Sequence, residues 1–146
     1  MSNVVSLHDR LPPADRGLQT FALEADRKRL TGTALKAMVR VAEAWDLGNA
    51  DAAALLAVSV STWDRIKAAK WDGVLSQDQL TRASAIIGIY KGLSLLFADA
   101  MATRWPLLRN RNPLYAGRSA VETMIEGGIP VMLEVRRHVD AMRGGL

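Results

Sequence analysis

The chain has no cysteine, which excludes a disulfide framework and any thiolate metal or redox site. That absence fits a reducing cytoplasm, where the protein is expected to reside. Aromatic residues make up only 5% of the 146 residues. Half of these few rings are tryptophan (four Trp beside two Tyr and two Phe), which assigns each Trp to a helix junction. No apolar run approaches a membrane span, since the richest stretch, residues 93–97, is bounded by Lys91 and Asp99. The N-terminus has no apolar core of the signal-peptide kind. Strand alternation and hairpin signals are missing throughout, as are internal repeats and low-complexity tracts. The fold class that remains is all-α.

Hydrophobic residues amount to 49%, enough to bury a real core in one domain or in two small ones sharing a core. The formal charge of +4 is modest, and its distribution says more. Residues 27–40 hold five cations (Arg27, Lys28, Arg29, Lys36 and Arg40) and no acid. Residues 105–118 hold three, Arg109, Arg111 and Arg118, again with no acid. The first cluster is placed to add phosphate contacts to a neighbouring DNA-binding element. A solvated face that keeps the protein soluble is the plainer alternative for either cluster.

That DNA-binding element is residues 49–67, NADAAALLAVSVSTWDRIK, which at helical period reads as two short helices joined by a tight turn. Ala52, Ala53, Leu56 and Val58 fall on one inner face of the first helix, and Trp63 and Ile66 on that of the second. Ala53 and Ala57, four apart, leave room for two helices to cross closely, as in a helix-turn-helix. Ala57 takes a turn position where glycine is commoner, because the left-handed conformation is often needed there. Ser59, Ser61, Thr62, Arg65 and Lys67 face outward. Hydroxyls and long cations suit contact with phosphates and base edges in a major groove, so these five are the candidate DNA-binding residues. An ordinary helical hairpin with a solvated face has the same pattern. Trp63 reads as a buried anchor between helices in either case.

Around this hairpin the chain divides into a polar, proline-bearing arm (residues 1–30, with a weak helix over 18–30), a helical bundle (31–103) and a C-terminal part (104–146). Thr31 or Thr33 is expected to cap a helix running to about Trp45, with Leu35, Met38, Val39, Ala42 and Trp45 on its inner stripe. Asn49 is expected to cap the first hairpin helix. Asp72-Gly73 signals a turn. Ser76 with Gln79 forms a capping box, opening a helix whose stripe of Leu80, Ala83, Ile87 and Tyr90 continues through Leu93, Leu96, Phe97 and Met101, bent near Gly88 or Gly92. Trp105-Pro106 ends it. A loop rich in Arg, Asn, Pro and Gly follows over 107–117. Ser119 with Glu122 forms a second capping box, Gly127-Gly128 closes that helix, and Pro130 stands in the first turn of the last one. Met132, Val135, Val139 and Met142 give this final helix its buried stripe.

The order of these elements, with the segment WPLLRNRNPLYAGRSAVETMIEGG at residues 105–128, resembles the Xre-type antitoxins of RES–Xre toxin–antitoxin pairs, a class that includes ParS-like proteins. The likeness spans residues 31–145 and rests on Trp105, Asn112-Pro113-Leu114, Gly117-Arg118-Ser119 and Gly128. Ala120 departs from it, standing where the family usually carries proline in the first helical turn, so the preceding turn is less rigid. The resemblance implies a helix-turn-helix bundle that binds the operator of its own operon as a homodimer. It also implies a small helical C-terminal domain that binds a RES toxin, an enzyme that degrades NAD, within a larger hetero-oligomer, covering the toxin's active site. Arg109, Arg111, Asn112, Tyr115, Gly117, Arg118, Gly144 and Gly145 are then the candidate toxin-binding residues. The loop's cations suit acidic groups on a partner or, with more difficulty, a site built for the counter-groups of phosphates, and spacing leaves both readings open.

Other readings stay open on the residues alone: a transcriptional regulator or ParS-like interaction module without toxin neutralisation, or an inhibitor that binds no DNA. An enzyme is not expected. No P-loop, dinucleotide fingerprint or Ser/His/Asp order is present, and no cofactor or metal is implied. Glu134 and His138, four apart on one helix, are the nearest approach to a metal-ligand pair and read as a surface pair.

Overall fold

The computed structural model describes residues 20–144. Seven α-helices and one 3-10 turn are present among them, and no strand. The helices are α1 (Glu24–Ala44), α2 (Asn49–Leu56), α3 (Val60–Lys67), α4 (Gln77–Leu96), α5 (Asp99–Arg104), α6 (Ala120–Gly127) and α7 (Ile129–Gly144), with the 3-10 turn at Trp105–Leu107 between α5 and α6. Most of the proposed arm, and Gly145, lie outside the described residues.

α4 is the axis of the molecule. It packs most extensively on α7, then on α1, and also touches α2 and α5. Two capping boxes set the registers of this framework. The Ser76 hydroxyl accepts from Gln79 N–H while the Gln79 side chain accepts from Ser76 N–H, and Ser119 and Glu122 repeat the pattern at the start of α6. Both were legible in the sequence. The stripe on α4 is wider than the period of three and four suggests. Leu80, Ala83, Ala85, Ile86, Ile89 and Leu93 are all buried, while Ile87 and Tyr90 are only half-buried. A helix with neighbours on several sides has apolar residues nearly all round, which blurs the stripe.

α4 runs unbroken through Gly88 and Gly92. The chain breaks instead at Phe97, whose extended backbone separates α4 from α5. The two glycines lie under α7. A Cβ on Gly92 would stand 2.8 Å from Val139 Cγ1, and one on Gly88 would stand 2.5 Å from the Arg136 guanidinium carbon. Gly92 is small because the α7 side chain Val139 is close, whereas the neighbour at Gly88 is the movable end of Arg136.

At the front of the molecule, α1 begins at Glu24 and runs without a break past Thr31 and Thr33, so neither is a cap. Thr31 is buried, donating to Arg27 O (2.6 Å) and accepting from Leu75 N–H (3.1 Å). Its hydroxyl joins α1 to the segment that leads into α4, which cap statistics do not foresee. Asn49 likewise is the first helical residue of α2, with Gly48 as the cap. Asp72-Gly73 makes no regular turn; the Trp71 indole lies over Gly73.

One hydrophobic cluster runs from Met38, Trp45 and Trp63 through α4 to Tyr115, Met124 and Val139. It therefore extends across residue 104. α2 packs on α6 as well, so the hairpin and the C-terminal helices are braced together.

Candidate functional site

Two surfaces follow from this frame. The first is the hairpin α2–α3. Ala57, Val58 and Ser59 form its three-residue turn, with Ala57 in the left-handed conformation (φ 60°, ψ 47°) that the sequence position demanded. Ala57 is exposed, so its role lies in the turn and the close helix crossing is left to buried Ala53. The Ser59 hydroxyl caps α3 by accepting from Thr62 N–H at 3.0 Å, and it donates to the Thr62 hydroxyl at 3.0 Å. Trp63 and Ile66 are buried beneath.

The five candidate contacts therefore divide. Ser61 and Arg65 are exposed and make no side-chain hydrogen bond or ion pair within the described residues. Ser59 and Thr62 bond each other, which fixes the start of the helix. Lys67 donates to Asn49 Oδ1 at 2.7 Å, and Asn49 Nδ2 donates to Asp64 Oδ1 at 3.1 Å. This short network ties α3 to the first turn of α2 and was missed in the sequence, where Asn49 was read only as a cap. Val60, 46% exposed at the head of α3, was missed as well. An apolar group there suits a thymine methyl.

The second surface is the loop between the 3-10 turn and α6. Its ends are pinned by Asn110 N–H to Arg118 O (3.1 Å) and Gly117 N–H to Asn110 O (3.0 Å). Inside, Asn110 Oδ1 accepts from Asn112 N–H and Asn112 Oδ1 from Leu114 N–H, both at 2.9 Å. These Asx turns explain the two asparagines around Arg111. The left-handed pair Ala116 (φ 50°) and Gly117 (φ 83°) turns the chain back.

Tyr115, expected at the contact surface, is fully buried. Its ring meets Trp105 edge-on (5.9 Å, 85°), and its hydroxyl lies 2.6 Å from His138 Nδ1 on α7. Burial pushes the phenol up to about 12 and pulls the imidazole below its ordinary value, so burial favours the neutral form of both hydrogen-bonded rings. Tyr115 thus holds the loop on α7 from beneath, an arrangement that the 23-residue separation concealed. His138 belongs to this ring cluster, while Glu134 pairs with Arg137 at 2.7 Å. No cluster of three or more potential metal ligands occurs among the described residues.

Arg118 is engaged at the surface, pairing with Glu126 on α6 and donating through Nε to Tyr115 O at 3.3 Å. The stretch has no acid in sequence, but the fold brings one. Glu122 is held below the usual carboxylate range, chiefly by the Ser119 backbone N–H it accepts from and by the Ser119 hydroxyl, with Arg109 and Arg118 adding smaller attractions. Arg109, Arg111, Asn112 and Gly117 stay exposed on the loop. Gly144, also exposed, ends α7 about 9 Å along the axis beyond His138.

Residues 24–88, which comprise α1, the hairpin and the first half of α4, match the antitoxin Xre-like helix-turn-helix domain. The uncharacterized protein y4oB of Sinorhizobium fredii is 36% identical over 113 residues, covering 76% of this chain and 84% of the relative. The chain belongs to the y4oB family and carries an Xre-like antitoxin domain. No solved structure matches it. An Xre-like domain is a regulatory, DNA-binding module, and antitoxin domains of this kind work beside a toxin partner. No described helix is long and apolar enough to cross a membrane.

Proposed function

We propose that this protein is the antitoxin of a type II pair, neutralising a RES-domain, NAD-degrading toxin and repressing its own operon from the cytoplasm. What carries the reading is one juxtaposition: an Xre-like helix-turn-helix braced against a pre-shaped cationic loop. α3 supplies Ser61, Arg65 and Lys67 to an operator. A homodimer sets two copies of α3 in successive major grooves of an inverted repeat. The loop supplies Arg109 and Arg111 to acidic groups on the toxin, with Asn112 and Gly117 beside them and the end of α7 near the rim. Because its backbone is already fixed by internal hydrogen bonds, little ordering entropy opposes binding. Toxin bound to the loops of two antitoxins gives the larger hetero-oligomer.

The test is co-expression with the adjacent RES-type gene, reading growth and cellular NAD, together with gel-shift titration on the upstream DNA. The wild type rescues growth and shifts the DNA. The double substitution Arg109→Ala/Arg111→Ala abolishes rescue while leaving the DNA shift and the melting temperature intact. Full rescue by that double variant removes the loop from the toxin interface. An unshifted promoter removes the repressor half of the reading.

A further inference from the structure

Between α1 and α4 runs a groove lined by neither α3 nor the C-terminal loop. It consists of two cavities of about 370 and 340 Å³ that share Thr33, Ala37, Ile87 and Lys91. Ala34, Ala37, Leu80 and Ile87 form an apolar floor, closed at the α7 end by the Arg136 guanidinium over Gly88. Four cations rim it: Lys36 and Arg40 from α1, Lys91 from α4 and Arg136 from α7. Among the described residues, not one carboxylate lines either cavity.

The missing counter-charge is local. Earlier on α1, Lys28 and Arg29 are paired with Glu24 and Asp26. At the groove, Lys36, Arg40 and Lys91 have no ion-pair partner among the described residues, and Arg136 donates only to the Ser84 carbonyl at 3.3 Å. A phosphate backbone answers such charge but leaves the apolar floor wet. An acidic amphipathic helix answers both, with its apolar face on the floor and carboxylates toward each rim. From Leu30 to Arg40 the α1 wall rises about 15 Å, which matches roughly three turns of a docked helix.

We propose that the groove between α1 and α4 docks an amphipathic, acid-rimmed helix of a partner protein. This surface is separate from the DNA-facing helix and from the cationic loop, and it stands whether or not the toxin is of the RES type. Lys36 and Arg40 also border the groove that contains Ile66 and Lys67, whereas Lys91 and Arg136 do not. Lys91 is therefore the discriminating residue.

The probe is a synthetic three-turn helical peptide with leucines on one face and glutamates on both flanks, beside the same peptide with glutamine for glutamate. Each is titrated into the ¹⁵N-labelled full chain at low salt. Saturable shifts are expected at Ala34, Ala37, Ile87 and Gly88, with the glutamate peptide bound about tenfold tighter than the glutamine one. Lys91→Glu is expected to weaken the glutamate peptide about tenfold with the melting temperature unchanged, and Lys91→Gln by less. Equal binding of the two peptides overturns the proposal, as do shifts confined to α3. Groove signals that change with chain concentration alone mean that a second copy fills it, and contacts from residues 1–19 mean that the chain's own N-terminus does. Displacement of the peptide by duplex DNA, with Lys91 shifting, assigns the cations to nucleic acid. Each of these three results also overturns the proposal.

Discussion

The hairpin and the C-terminal loop both rely on a left-handed turn residue and a serine cap, yet they treat their polar side chains in opposite ways. In the hairpin, Ser61 and Arg65 point outward uncommitted above the buried Trp63. In the loop, Asn110, Asn112, Tyr115 and Arg118 bond within the molecule, leaving Arg109 and Arg111 exposed and without a hydrogen bond or ion pair among the described residues. A reader of DNA gains from long side chains on a rigid rod, because the helix itself supplies the shape. A loop has no shape until its own polar groups make one. Thus the same residue types serve as contacts in one region and as scaffold in the other.

The sharpest test of the hairpin is Trp63→Ala, since the indole is 1% exposed. It is expected to cost about 3–5 kcal/mol of stability and to lose operator binding with it. Calorimetry that finds an unchanged melting temperature alongside lost DNA binding breaks the division between anchor and contact. Arg65→Ala is the complement, expected to weaken operator binding by about 1–3 kcal/mol without moving the melting temperature. Unaltered affinity in a gel shift strikes Arg65 from the interface.

In the loop the effects are smaller and appear in stability. Tyr115→Phe keeps the ring on Trp105 and removes the bond to His138, which is expected to cost about 0.5–1.5 kcal/mol in chemical denaturation. A variant as stable as the wild type shows that the hydroxyl does not pin the loop. Acidification probes the same contact. His138 takes up a proton less readily in the fold than in the unfolded chain, whose value is near 6.5. Stability is therefore whole above about 6.5 and declines as pH falls through the lowered folded value. Glu122, also lowered by its cap, follows further down: its contribution is present above the ordinary 4.5 and is lost as pH falls through its folded value. His138→Gln is expected to flatten the first decline. If melting temperatures of variant and wild type run parallel with pH below 6.5, the histidine is not the titrating group.

Local signals in the sequence survived folding where their physics was local. The two capping boxes, the left-handed Ala57 and the anchor role of Trp63 depend on residues a turn or two apart, so spacing alone revealed them. The all-α class followed from the missing alternation, and the helix-turn-helix assignment from two short apolar faces around a tight turn. What failed was whatever needed a distant partner. Thr31 looked like a cap and proved to be a clasp to Leu75, and Gly92 proved to leave room for Val139 of α7. Tyr115 looked like a contact and proved to be buried on His138, while Arg118 looked unpaired until α6 brought Glu126 to it.

By itself, then, the sequence determined the all-α class, the helix starts at the two capping boxes, and that a hairpin offers hydroxyls and an arginine on one side. Only the tertiary structure decided which polar groups are available to a partner. Availability depends on what else lies within hydrogen-bonding reach, and for Tyr115 that group is 23 residues away along the chain yet 2.6 Å away in space. Helical periodicity describes one element's face, while packing decides what that face meets.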